Sequence, residues 1–331
     1  MQDNRYFCIR REKSHFVPEG ILSQNSECEA YMKNKHTLTD AMHDGAILEA
    51  NCVMCDGATM ELTVELPCGI KGIIPRHEAS YSIFGEEIKD IAIITRVGRP
   101  VQFKITDIRE DERGDTVAYL SRRAAQEECY NSYIKNLIPG DIVPAKVTHL
   151  EPFGAFCDIG CGIISLLTVD KISVSRIAHP SDRFHTGEYI SVVIHSVSDE
   201  GRIYLTHREL LGTWEENARE FSPGQTVRGI IRSVEDYGVF VELAPNLAGL
   251  AELFDGAVPG EACSVYIKSV IPERMKIKLV IIDTCGPSEI PQRRYYIDTD
   301  EHTHISRWVY SPDGCRKRVV CDFTEAIAAV K

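Results

Sequence analysis

The segment Pro152-Phe153-Gly154-Ala155-Phe156 recurs 84 residues on as Asp236-Tyr237-Gly238-Val239-Phe240. At the same offset upstream, Ile138-Pro139-Gly140-Asp141 answers Ser222-Pro223-Gly224-Gln225. Downstream, Gly162-Ile163-Ile164 is matched to Gly249-Leu250-Ala251 after a three-residue insertion. A chain that repeats a unit of this length folds as modules, each a supersecondary unit in its own right. Each copy opens on a Pro-Gly turn and a β-rich run, then an aromatic-Gly-x-aromatic strand and a Gly-apolar-apolar strand. A loop and two closing strands follow. Five short strands in roughly 70–85 residues suit a small closed Greek-key barrel.

A degenerate third copy lies at 44–123. There Gly72-Ile73-Ile74 stands for Gly162-Ile163-Ile164, and Leu120-Ser121-Arg122-Arg123 for Leu205-Thr206-His207-Arg208. Its aromatic pair is missing: the positions fall at Met60 and Thr63. Helical linkers are predicted at 122–136 and 207–220, the second docking Trp214 and its apolar neighbours onto a barrel. The division is thus an extended N-terminal arm at 1–43, barrels at 44–123, 138–208 and 222–282, and a C-terminal appendage at 283–331. Tyr295-Tyr296-Ile297 and Trp308-Val309-Tyr310 read as strands of that appendage. The fold class is all-β, three tandem five-stranded barrels joined by short helical linkers, with a small β appendage.

At 331 residues, with 44% apolar and 26% charged, the chain has the composition of a globular protein with real cores. No apolar run reaches membrane-span length and the start is polar, so a cytoplasmic protein with reduced cysteines is expected. The net charge of −12 argues against non-specific duplex binding, which needs a basic face. It does not exclude single-stranded RNA, for which stacking supplies much of the affinity.

Two rings three residues apart point to opposite faces of a regular strand. Gly154 and Gly238 are expected to allow a bulge that brings Phe153 with Phe156, and Tyr237 with Phe240, onto one surface as stacking platforms. In Arg274-Met275-Lys276-Ile277-Lys278-Leu279 the period is two, with the cations on one face. Arg202 stands where the next repeat has Lys276. The loop 170–186, with Lys171, Arg176, His179, Arg183 and His185, reads as a backbone clamp. The third barrel has a short acidic loop instead, so its groove is expected to be shallower and weaker.

The run Val147-Thr148-His149-Leu150-Glu151-Pro152-Phe153-Gly154-Ala155-Phe156, with Gly201-Arg202-Ile203-Tyr204-Leu205-Thr206, resembles the S-one RNA-binding domain. This is the OB-fold repeat of bacterial ribosomal protein S-one. Val234-Glu235-Asp236-Tyr237-Gly238-Val239-Phe240 is similar, and Lys146 and Arg228 fall in the preceding strands. Over about 44–282 the chain resembles short three-repeat homologues of low-GC Gram-positive bacteria. Gly72-Ile73-Ile74-Pro75-Arg76 is similar to the leading, ribosome-facing repeats of that family. The resemblance implies an RNA-binding patch of an aromatic pair, a histidine after the Gly-apolar-apolar strand, and an Asp/Arg pair bracketing the last turn. Carried over, the aromatics are Phe153/Phe156 and Tyr237/Phe240, and the arginine is Arg202 or its substitute Lys276. The histidine position holds Ser165 and Glu252; the aspartate falls at Ser198, beside Asp199, and at Pro272.

The expected site therefore comprises Phe153, Phe156, Arg202, Tyr237, Phe240, Lys276, Arg274, Lys278, Lys146 and Arg183. The resemblance implies non-catalytic binding of single-stranded RNA, mRNA in translation, as a component of the small ribosomal subunit. No catalytic residue, cofactor, metal, membrane or small-molecule substrate is expected. Cys52-x-x-Cys55 sits on a strand that points its thiols apart, and no second pair completes a zinc site. Two other readings remain open: a protein-interaction adaptor, and an accessory RNA-binding part of an RNA-processing or iron–sulfur reductase system.

Overall fold

The computed structural model describes residues 5–6, 16–83 and 85–324. After a short strand β1 (Arg5–Tyr6), the first barrel contains β2 (Leu48–Cys55), β3 (Leu62–Glu65), β4 (Lys71–Ile74), β5 (Pro100–Glu110) and β6 (Thr116–Ser121). The second contains β7 (Ile142–Glu151), β8 (Gly154–Asp158), β9 (Ile164–Thr168), β10 (Tyr189–Val197) and β11 (Ile203–Thr206). The third contains β12 (Thr226–Glu235), β13 (Gly238–Ala244), β14 (Leu247–Ala251), β15 (Glu261–Ile271) and β16 (Lys276–Pro287). All three close in the same order, with the third and fifth strands paired in parallel. This is the OB-fold arrangement expected.

The first strand of each barrel carries an irregularity at the same place, between Cys52 and Met54, Val147 and His149, and Ile231 and Ser233. A bulge there lets one strand bend far enough to pair on both sides and close the barrel. Alternate residues inside are Val, Ile, Leu, Ala and Cys, as in Val147, Ala155, Cys157, Leu167 and Leu205 of the second core. Burying each Val, Leu or Ile stabilises the fold by roughly 1.5–3 kcal/mol.

The elements outside the barrels depart from expectation. The N-terminal segment is not an extended arm where it is described: Ser26–Tyr31 and Lys35–Asp44 are helices against the first barrel. Residues 1–4 and 7–15 of that arm, and 325–331 of the appendage, lie outside the described residues. The Glu19 carboxylate accepts from Arg122 at 2.8 Å, and Glu19 N–H donates to Asp158 at 2.8 Å, so this segment ties the first barrel to the second. The first linker is helical over Arg122–Ser132. The second is broken into Arg208–Leu211 and Trp214–Ala218. Gly212 breaks it at φ +84°, and a Cβ there would lie 2.6 Å from the Tyr296 ring. Trp214 is buried against the third barrel, as its stripe predicted.

The appendage pairs β17 (Arg307–Val309) with β18 (Val320–Asp322) and with β1. Tyr295–Ile297 is not a strand; it braces the joint instead, with Tyr295 Oη accepting from Ser191 N–H at 3.1 Å and Tyr296 N–H donating to Leu210. Ile305 and Trp308 are fully buried in the core of the third barrel and appendage.

His207 is buried at this joint, its Nδ1 3.0 Å from Ile172 O and its ring against Phe184 and Tyr295. Burial, the largest cause, pushes its imidazole down to about 3. Below about pH 6.5 the unfolded chain takes up a proton that the folded chain refuses. His207 therefore stabilises fully above that pH, and its contribution drains away as the pH falls toward 3. The expected slope is up to about 1.4 kcal/mol per pH unit. Urea midpoints at pH 7, 6 and 5 should fall more steeply for wild type than for His207→Gln. Parallel curves would show that the acid sensitivity arises elsewhere.

Candidate nucleic-acid interface

In the third barrel β16 alternates as the sequence demanded: Arg274 just before it, then Lys276 and Lys278, are exposed, while Ile277 and Leu279 point inward. Across from them, Tyr237 and Phe240 meet edge to face at 6.2 Å and 89°. Rings and cations line one groove of about 670 Å³, with Lys268 of β15 at its rim. Lys268 forms an exposed ion pair at 3.4 Å with Glu252, the carboxylate expected to repel a phosphate. Arg274, Lys276 and Lys278 have no carboxylate partner among the described residues, although most arginines of this acidic chain do.

The second barrel repeats the ring geometry, Phe153 and Phe156 lying 5.9 Å apart at 90°. Its groove is only about 230 Å³, and Ile83 and Tyr130 from outside the barrel form part of its lining. Arg202 is held at 3.3 Å by both Glu86 and Glu200. The expected ranking is thus reversed in shape and charge: the third groove is the larger, and its cations are the less neutralised. The depth comes from elements outside the repeat, which supply Trp214 and Tyr310 to the lining.

The rings share a surface for a different reason from the one expected. Phe153 and Tyr237 lie in the turn before the strand, so strand alternation does not govern them. They are 55% and 67% exposed. Gly154 and Gly238 make no bulge. A Cβ on either would lie 2.5 Å from a carbonyl of the neighbouring strand, Leu167 O or Ala251 O. They are glycines because the strands approach closely there. The bulge is on the facing strand, and it sets His149 directly opposite Phe156. His149 lies 6.3 Å from that ring at 26°, a third ring of the platform that the sequence reading missed. Only the cross-strand register brings it there.

Register also corrects the repeat alignment. Phe156 faces Leu166, Phe240 faces Leu250 and Thr63 faces Ile73. Ser165-Leu166-Leu167 is therefore equivalent to Gly249-Leu250-Ala251, and no insertion is needed. The histidine position of the second barrel is Thr168, not Ser165; its hydroxyl donates to Asp170 at 2.7 Å. By the same register Tyr204 stands opposite Leu166 where Lys278 stands opposite Leu250, which makes Arg202 and Lys276 equivalent. The first barrel holds Met60 and Thr63 at the ring positions and Val117 and Tyr119 at the positions of Lys276 and Lys278, with Arg109 4.1 Å over the Tyr119 ring.

Two expected cations are engaged elsewhere. Lys146 Nζ donates to Glu19 O at 2.8 Å and lies over the Tyr189 ring, holding the N-terminal segment. Arg183 is 6% exposed, and its guanidinium donates to Glu242 of the third barrel at 2.5 Å. The loop 170–186 brackets the second barrel to the third, while Arg176 and His185 stay exposed on it. Val174 N–H donates to Asn246 Oδ1 and Ser175 N–H to Pro245 O. Among the described residues no group of three or more His, Cys, Asp or Glu could hold a metal ion, and no helix is long and apolar enough to cross a membrane.

Residues 137–208, the span of β7–β11, match the family described as S1 RNA binding domain. Over 323 aligned residues the chain is 26% identical to small ribosomal subunit protein bS1 of Staphylococcus aureus (strain COL), covering 88% of this chain and 78% of that protein. The bS1 protein of Staphylococcus saprophyticus is 28% identical over 230 residues, covering 64% and 56%. That of Rhizobium meliloti (strain 1021) is 28% identical over 245 residues, covering 67% and 40%.

Proposed function

We infer that this chain, which carries an S1 RNA binding domain and resembles bS1 proteins along most of its length, binds single-stranded RNA without catalysis. Its partner is mRNA, and its place is with the small ribosomal subunit during translation. The third barrel supplies the principal groove and the second a narrower one. The observation that carries this reading is the groove of β13, β14 and β16, where paired rings face three unneutralised cations in a chain of net charge −12. Flat rings stack on any base and the cations follow the backbone, so sequence preference should be modest. The first barrel lacks the aromatic pair, has Val117 and Tyr119 in the places of Lys276 and Lys278, and exposes Met54, Ile91 and Ile94, which suits contact with protein. That is the feature favouring an adaptor.

Fluorescence anisotropy with an unstructured RNA oligomer over a salt series tests the reading. With three or four phosphate contacts, log affinity should fall against log salt with a slope of roughly −2 to −3. Absence of binding would leave the adaptor reading, and shortening of the oligomer would expose a nuclease.

A further inference from the structure

The third-barrel groove has a far wall that does not belong to the barrel. Between β17 and β18 the chain runs out as a loop, residues 310–319, and Tyr310, Lys317 and Val319 line the same groove as Lys276, Lys278 and the two rings. This loop is anchored at its base. Trp214 N–H donates to Tyr310 O at 3.0 Å, and Tyr310 Oη donates to Asn246 O at 2.6 Å. Tyr310 N–H donates to Val319 O at 3.0 Å, and Val319 N–H to Ser311 Oγ at 2.8 Å. At the tip Cys315 is buried, while Arg316, Lys317 and Arg318 are exposed. None of the three has a carboxylate partner among the described residues.

Nearby arginines of the same half of the chain are tied to acids: Arg293 to Glu188, Arg294 to Glu220, Arg307 to Asp322. Three adjacent cations left free on an anchored loop, one of them inside a groove already carrying Arg274, Lys276 and Lys278, concentrate positive charge where the rings are. A single strand whose bases stack on one surface turns its phosphates away from that surface. A cation on the part of the lining that the barrel does not supply is placed to meet them.

We propose that the β17–β18 loop is the second wall of the RNA groove, and that Lys317, flanked by Arg316 and Arg318, holds backbone phosphates of the strand stacked on Tyr237 and Phe240. This rests on the reading of the chain as a binder of single-stranded RNA. It makes the appendage part of the binding site, so that the groove is complete only when barrel, linker and appendage are assembled.

The test uses the full chain and labelled oligouridylate and oligoadenylate of about ten nucleotides, within the site size of such barrels. Lys317→Ala should weaken both by about two- to fivefold, the range of an exposed ion pair. Its salt slope should become shallower by about 0.7, one single-strand phosphate contact. The triple change of Arg316, Lys317 and Arg318 to Ala should weaken binding further, and Lys317→Arg should retain it. Lys33→Ala, an exposed cation on the first barrel's side, should change nothing. If Lys317→Ala and the triple variant bind as wild type while Tyr237→Ala is weakened, RNA uses the groove without this wall. The proposal is then wrong and the RNA reading stands. If none of them is weakened, both fail. If Lys33→Ala weakens binding as much as Lys317→Ala, the effect is bulk charge and the wall is not a site.

Discussion

Replacing Tyr237 and Phe240 together by alanine is expected to reduce affinity for single-stranded RNA by about tenfold to a hundredfold, since each stacked base contributes roughly 1–3 kcal/mol. Tyr237 is 67% exposed and Phe240 lies on the outer face of β13, so the variant should keep its β circular dichroism and its urea midpoint. The same change at Phe153 and Phe156 should cost less. That groove is about a third the volume of the other, and its arginine is shared between Glu86 and Glu200. Changing Met60 and Thr63 should cost nothing in RNA binding, because the first barrel has no ring at either position to lose. Anisotropy titrations of the three double variants rank the barrels directly. A larger loss at Phe153 and Phe156 would make the second barrel the principal site and remove the inference drawn from free cations.

Glu242→Ala should destabilise the protein by roughly 3–5 kcal/mol, the cost of breaking a buried ion pair from one side. Glu242 is buried and accepts from Arg183 at 2.5 Å and from Arg232 at 2.8 Å, with Arg232 also 3.5 Å from Asp182. Removing the carboxylate leaves two buried guanidiniums facing each other, with only the more exposed Asp182 beside Arg232 as counter-charge. Replacing Arg183, Arg232 and Glu242 together by apolar residues of similar size should recover much of the loss, because no buried charge then goes unpaired. Urea denaturation followed by circular dichroism measures both. A loss below about 1 kcal/mol for Glu242→Ala would mean that water reaches the pair and that it behaves as a surface ion pair. The same variant should loosen the second barrel from the third, since Arg183 comes from the loop that brackets them.

Whatever depended on local chemistry and short spacing could be read from the chain. The five-strand module follows from the recurring Pro-Gly turns and aromatic-Gly-x-aromatic runs. The outward cations of β16 follow from a period of two, since a pleated strand sends alternate side chains to opposite faces. The ring positions, including their absence at Met60 and Thr63, follow from the repeat itself. Errors began where identity was used in place of register. Gly162 and Gly249 share identity, whereas hydrogen-bond pairing makes Ser165 the equivalent of Gly249.

Whether a cation is free to meet RNA could not be read, because its partner is remote in sequence. Arg183 finds Glu242 59 residues away, Arg202 finds Glu86 at 116, and Lys146 finds the Glu19 carbonyl at 127. Arg274, Lys276 and Lys278 look no different from these three as letters. Packing of separate modules puts carboxylates beside one set and leaves the other facing a groove. The depth of that groove has the same origin. Trp214 and Tyr310 come from a linker and an appendage that share no repeat with the barrel, and only the burial of Ile305, Trp308 and Tyr310 at the joint brings them to its rim. Side-chain alternation is a property of one strand, whereas neutralisation and enclosure belong to surfaces that meet only when the chain is folded.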